Sequence, residues 1–406
     1  MRQPFPPAWL TANGHCAVTD FNSELQQRLD ALREQSLFRE LRRVDSPQSS
    51  RIQIGGKTFL NFSSNDYLGL ANDSILKEAA IRAIEKFGVG AGTSRLICGS
   101  LAPFHELEEA LADFKQTEAA LSFSTGYATA IGTICALLGK DDIIVLDKLV
   151  HASIVDAAKL SGAKIRVFAH NDLNDLEKIL KWATEKKSES KILIVTESIF
   201  SMDGDAAPLR EIVGLKNKFA AWLMVDEAHA TGIFGKNGRG LMDEFGVAKQ
   251  IEIQMGTLGK ALGASGGYIC GSRALIDLLI NKARSFIFST APIPAAAAAA
   301  MAAIQFVQSN NGEKRRELLQ QRLGELNLKF KIQNLKFQSA ITPIILGNEA
   351  KAVNAAIKLR EQNIFVPAIR YPTVARGKAR LRITLTAAHS ENDISDLARA
   401  FKALDS

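Results

Sequence analysis

Between residues 119 and 271 the chain repeats one pattern seven times, and that pattern leaves few folds open. Apolar runs of strand length recur at "AALSF" (119–123), "DIIVLD" (142–147), "KIRVFA" (164–169), "KILIVTES" (191–198), "AWLMVDE" (221–227), "IEIQMGT" (251–257) and "GGYICG" (266–271). Between most of them lie helical stretches such as "GYATAIGTICALLG" and "ASIVDAAKLSG". Continuous apolar strands alternating with helices predict a mostly parallel sheet covered on both faces. The last two runs leave no room for a full helix between them, so one of them is expected to run antiparallel. The fold class is α/β.

Around this block the pattern changes. Residues 21–43 have helical periodicity, with Leu25, Leu29, Leu32 and Leu37 on one face. "RIQI" and "KTFLNF" read as short strands. The glycines of "FGVGAGTSRLICGS" (87–100) stand too close together for a helix. The run "AAAAAAMAAI" (295–304) reads as a tightly packed helix started after prolines; it has about half the length of a membrane span. The polar stretch "QSNNGEKRRE" (308–317) is a candidate boundary, and strand, helix and strand follow it. The expected division is an N-terminal arm (1–60), a large domain (61–307) and a small α+β domain (308–406).

The chain has 406 residues, and its 50 Lys and Arg against 43 Asp and Glu give a formal net charge of +7. That excess is spread out, without the basic blocks and interleaved aromatics that mark nucleic-acid binding. It favours an anionic partner such as a coenzyme A ester or an acidic carrier protein. Cys16, Cys98, Cys135 and Cys270 have no metal-ligand spacing, so no metal is expected. Their scatter suits a reducing compartment. The first residues lack the apolar core of a secretory signal, so the expected location is the cytoplasm.

In a parallel α/β sheet, ligands collect beyond the carboxyl ends of the strands. The polar residues just after the predicted strands are Gly126, Tyr127, His151, Ser201, Asp226, His229, Thr257 and Lys260. "DEAH" also marks a class of helicases, but those need a phosphate loop, and "RIQIGGKT" has Arg51 where its first glycine belongs. A carboxylate, an imidazole three residues on and a lysine in a loop of small residues suit pyridoxal 5'-phosphate instead. Its aldehyde condenses with an amine, which Lys260 offers. Its ring nitrogen needs a carboxylate to stay protonated, which Asp226 offers. His229 is placed for its phenolic oxygen, and amides at Gly126 and Tyr127, with the Thr257 hydroxyl, for its phosphate. Each has a plainer reading: a surface lysine, an Asp helix cap, a His helix cap at His151.

These residues lie in segments that resemble the α-oxoamine synthases, a family of pyridoxal-phosphate enzymes with the aspartate-aminotransferase fold. The segments include "NFSSNDYLGLA", "GAGTSRLICGS", "FHELE", "FSTGYATA", "HASIVDA", "ESIFSMDGDAAPL", "VDEAHATGIFGKNGRG", "GTLGKALGASGGYICG" and "ARLRITLTAAH", and they run from about residue 59 to 389. "SMDGDAAPL" and "AIRYPTVARGKARLRITLTAAH" are closest to the branch that condenses L-alanine with a pimeloyl thioester in biotin synthesis. The thioester is carried on coenzyme A or an acyl carrier protein. "GAGTSRLICG" is nearer to the glycine C-acetyltransferases, the sister activity. The resemblance implies a seven-stranded large domain, a homodimer, and Lys260, Asp226 and His151 as catalytic residues. It gives His229 and Ser201 the phenolic side of the cofactor, with His151 stacked on its ring. Arg42, Asn65, Thr373 and Arg382 would contact substrate, Arg382 as anchor of the amino-acid carboxylate.

Overall fold

In this computed structural model residues 20–186, 190–330 and 339–404 are described. Cys16 and the first part of the arm lie outside them. The chain divides between Leu41 and Arg42. In the first unit, helix α1 (Phe21–Glu34) is capped by Asp20, whose carboxylate accepts the Ser23 N–H at 3.2 Å. The helix stops sooner than its periodicity predicts. Ser36 takes a left-handed conformation (φ 56°), and Leu37 bonds back to the Leu32 carbonyl, so Leu37 leaves the face of Leu25, Leu29 and Leu32.

The second unit opens with the hairpin β1 (Arg51–Ile54) and β2 (Lys57–Asn61). Gly55 and Gly56 turn it with φ of 56° and 76°, a pair of values that suits glycine. Helices α2 (Ser74–Phe87) and α3 (Ala102–Lys115) follow. The glycine-dense segment between them is not wholly irregular: Arg95–Gly99 make a single π-turn. A Cβ at Gly99 would lie 2.4 Å from the Thr93 carbonyl oxygen, so this turn needs glycine there.

Seven strands then form one sheet: β3 (Ala119–Phe123), β4 (Ile143–Asp147), β5 (Lys164–Phe168), β6 (Ile192–Glu197), β7 (Trp222–Asp226), β8 (Ile253–Thr257) and β9 (Gly267–Gly271). Their order is β3-β9-β8-β7-β6-β4-β5. Strand β9 is antiparallel to β3 and β8, as the short connection required, and the other pairs are parallel. Helices α4 (Gly126–Leu137), α5 (Ala152–Ser161), α6 (Leu173–Lys186) and α7 (Leu209–Lys218) follow β3, β4, β5 and β6. Every residue of β3, β4, β6 and β9 is buried. Each buried Val, Leu or Ile there contributes ~1.5–3 kcal/mol, which explains why these segments have no polar face. Edge strand β5 is the exception, with exposed Lys164 and Val167.

The alanine-rich helix (Pro294–Gln308) starts on proline and packs against α2 and α3 through small side chains including Ala300 and Ala303. The polar stretch after it is helical too, part of Asn310–Phe330. The break falls at Ser309, next to the expected boundary between 307 and 308, which we propose as the divide between the large and small domains. Beyond it, β10 (Ile341–Gly347) and β12 (Ala368–Ile369) flank β13 (Ala379–Thr384). Strand β11 (Ile364–Phe365) instead joins β2 in parallel, tying the N-terminal hairpin to the C-terminal module. Among the described residues no helix is long and apolar enough to cross a membrane.

Candidate active site

The parallel register brings the carboxyl ends of β4, β6, β7 and β8 to one edge of the sheet. Asp226 pairs with Glu197 on one side and Met255 on the other. Its carboxylate accepts the Ala228 N–H at 2.9 Å, which closes a turn and not the helix cap that was the plainer reading. Asp226 is buried. Burial raises its pKa, against the pull of the Lys260 charge.

Lys260 follows β8 in a loop pressed against the 66–71 turn. A Cβ at Gly263 would lie 2.5 Å from the Ala71 nitrogen, which is why the loop is built of small residues. The Lys260 Nζ meets His229 Nε2 at 2.7 Å, and among the described residues it makes no ion pair. Burial drives its amine down to about 8, although Asp226 and Glu197 pull the other way. His229 is buried, and burial together with Lys260 and Arg382 keeps it well below its ordinary pKa, hence neutral. Its Nδ1 lies 2.5 Å from the Tyr67 hydroxyl, which is 3.3 Å from Asn65 Oδ1. One proton arrangement satisfies all three contacts: Lys260 donates to His229, His229 to Tyr67 and Tyr67 to Asn65.

Arg382 of β13 closes the cluster. Its Nε donates to the Ser201 carbonyl (2.7 Å), and Nη1 donates to Asn65 Oδ1 (3.1 Å) and Thr384 Oγ1 (2.8 Å). Its Nη2 is buried without a hydrogen-bond partner. So is Oε1 of Glu197, a carboxyl that the backbone amides of His151 and Ser201 face. Burial, then the Asp226 charge, pushes Glu197 well above the ordinary carboxyl pKa. An unmatched donor and an unmatched acceptor, both buried, are costly in a closed core. They are what a ligand-binding core would hold ready.

Sequence reasoning missed Glu197 and Tyr67. The signals were present: an acid ending an apolar strand in "LIVTES", and a tyrosine in "NDYLGL" beside the Asn65 that was singled out.

Beside the cluster, α4 begins with Thr125, whose Oγ1 accepts the Ala128 N–H at 3.0 Å. Gly126 has open space where a side chain would stand. Gly267 approaches it so closely that a Cβ there would lie 2.8 Å from the Gly126 Cα. Thr257 is the strand partner of Gly267, and its hydroxyl donates to the Gly266 carbonyl at 3.0 Å. The Tyr127 hydroxyl donates to Asp156 at 2.7 Å. A half-exposed first helical turn with a glycine at its opening suits an anion. His151 caps α5, with Nδ1 accepting the Ser153 N–H, while its ring remains exposed. Arg42 and Thr373 are exposed, and among the described residues no hydrogen bond or ion pair ties either to the cluster.

A half-buried amine that loses its proton near pH 8 can condense with an aldehyde or take a proton from carbon. A buried guanidinium with a free N–H can hold a carboxylate.

The family model for class I and II aminotransferases matches residues 57–401. The 8-amino-7-oxononanoate synthase of Geotalea daltonii is 46% identical over 375 residues, covering 91% of this chain and 94% of its own. The enzyme of that name from Geobacter sulfurreducens is 46% identical over 388 residues, covering 94% and 96%. Among solved structures, Sphingomonas wittichii serine palmitoyltransferase aligns with a TM-score of 0.87 at 31% identity, covering 96% of this chain and 98% of its own. An 8-amino-7-oxononanoate synthase from Francisella tularensis aligns at 0.72 and 31% identity, covering 85% and 96%.

Proposed function

The chain belongs to the class I and II aminotransferase family, and from that premise we propose that it is an 8-amino-7-oxononanoate synthase. It joins L-alanine to a pimeloyl thioester with loss of carbon dioxide and the thiol. At the coarser level it is an α-oxoamine synthase of the biotin pathway, and its cofactor is pyridoxal 5'-phosphate. The observation that carries the reading is the Lys260 amine, half-buried, without a carboxylate partner and bonded to neutral His229.

The residues present fit the cofactor. Gly126 leaves open space at a helix start, and Glu197 and Arg382 keep buried atoms unpaired. Lys260 would hold it, Asp226 would face its ring nitrogen, and His151 would cover its ring. Ser201 and His229 would lie on its phenolic side. The first turn of α4 at Gly126 and Tyr127, with Thr257, would take its phosphate. Bound there, it supplies a sink for the electron pair left at the alanine Cα.

The chain's own groups do the rest. Arg382 Nη2 takes the alanine carboxylate, beside Asn65. The Lys260 Nζ receives the Cα proton and later returns it. The new bond joins Cα to the thioester carbon as the sulfur leaves, and the carboxylate departs as carbon dioxide. Arg42 and Thr373, both exposed, are proposed to meet the acyl substrate. The carrier is coenzyme A or an acyl carrier protein, both suited to the net positive charge. We propose a cytoplasmic homodimer.

Thiol release tests this, with L-alanine, glycine and L-serine offered against pimeloyl-coenzyme A, pimeloyl-carrier protein and acetyl-coenzyme A. Fastest release with L-alanine and a pimeloyl thioester is expected. Faster turnover of glycine with acetyl-coenzyme A would replace the reading with the sister activity.

A further inference from the structure

The loop after β6 carries Ser201, and Ser201 supplies one of the three acceptors that orient Arg382. That loop is held from two sides. Toward the small domain, Arg380 Nη1 donates to Asp203 (2.7 Å) and to the Met202 carbonyl (3.0 Å). Toward the sheet, His170 joins two carboxylates. Its Nε2 lies 2.8 Å from Asp205 Oδ2, and its Nδ1 lies 3.0 Å from Asp147 Oδ1 at the end of β4. The ring also stands edge-on to Phe200, with centroids 4.4 Å apart. The nearest partner of each ring nitrogen is a carboxylate oxygen, with the Asn171 amide nitrogen farther off at 3.3 Å from Nε2, and the imidazolium is the form that donates to both carboxylates. Burial opposes this charge, but the bonds to Asp147 and Asp205 outweigh it and raise the pKa to about 10.

We propose that His170, held as a cation, is a positioning residue for the amino-acid carboxylate. It fixes the Ser201 loop to the end of β4, and the Ser201 carbonyl in turn aims the unpaired Nη2 of Arg382. This rests on the reading of Arg382 as the carboxylate anchor. A small shift of that guanidinium weakens capture of the amino acid, while Lys260 and His229, placed by other strands, keep their geometry.

The test is steady-state kinetics of the holoenzyme with L-alanine and pimeloyl-coenzyme A. In His170→Gln the KM for L-alanine rises about tenfold, with kcat within about threefold and the thioester KM unchanged. Asp205→Asn keeps the acceptor and stays near wild type, whereas Asp205→Ala behaves as His170→Gln does. On an Arg382→Gln background, His170→Gln adds nothing. An unchanged alanine KM in both His170→Gln and Asp205→Ala overturns the positioning role, as does a parallel change in kcat and both KM values. If Arg382→Gln leaves the alanine KM unchanged, the anchor reading falls and this proposal with it. A large Arg382 effect beside a null His170 effect removes this proposal alone.

Discussion

Asp226 and Glu227 are adjacent in the chain, and each lies near a lysine, half-buried Lys260 for the first and buried Lys115 for the second. Glu227 Oε2 takes Lys115 Nζ at 2.5 Å, and Oε1 accepts the Met242 N–H at 2.8 Å. Lys115 also donates to the Arg239 carbonyl. The pair is closed, with side chains 2% and 0% exposed, and Gly240 packs so tightly that a Cβ would lie 2.0 Å from Oε2. Burial lowers the Lys115 pKa, but Glu227 more than restores it, so Lys115 stays charged. On the Asp226 side the lysine makes no ion pair among the described residues, its pKa falls to about 8, and Arg382 and Glu197 keep unmatched atoms. One side chain type in two settings has its pKa shifted in opposite directions. Matched polarity holds the loop that carries His229, and unmatched polarity is kept for binding and reaction.

The contrast breaks most visibly at Lys260. Lys260→Ala is expected to lower turnover at least about a thousandfold, the scale of a lost general base. Denaturant unfolding should show stability within about 1 kcal/mol of wild type, because the amine has no ion pair to lose. The opposite outcome belongs to the neighbouring pair. Glu227→Gln strands the Lys115 charge and is expected to cost about 3–5 kcal/mol of unfolding free energy. The cofactor-loaded fraction that stays folded should keep its visible absorption maximum. Equal effects of the two substitutions on stability would erase the distinction between the two lysines.

Much of this was legible in the sequence, for a physical reason. Strands buried on both faces carry few polar residues and no charged ones until they end, so Asp226, His229 and Thr257 stand out at the ends of β7 and β8. The antiparallel β9 followed from chain length alone. Lys260 stood out by its company of glycine and alanine, which the close approach of Gly263 to Ala71 explains. Other features carried only a weak local mark, or none. Glu197 reads as the polar end of a strand until Asp226 is set beside it by the sheet register. Lys115 looks like a surface lysine at the end of an amphipathic helix, because its partner is 112 residues away. His170 follows β5 like any polar loop residue, and its two carboxylates come from the end of β4 and from the loop after β6. The end of α1 at Glu34 depended on a left-handed residue just beyond it, Ser36, that periodicity does not report. Arg42 and Thr373 rested on resemblance alone, and the cluster forms without them.

The most direct measurement is covalent. Cofactor-free protein is mixed with pyridoxal 5'-phosphate across a pH series, reduced briefly with borohydride, digested and mapped. The account expects one pyridoxylated peptide, the one containing Lys260, with initial labelling rising through pH about 8. Labelling spread over surface lysines, or rising only near their ordinary pKa of about 10.4, would contradict it.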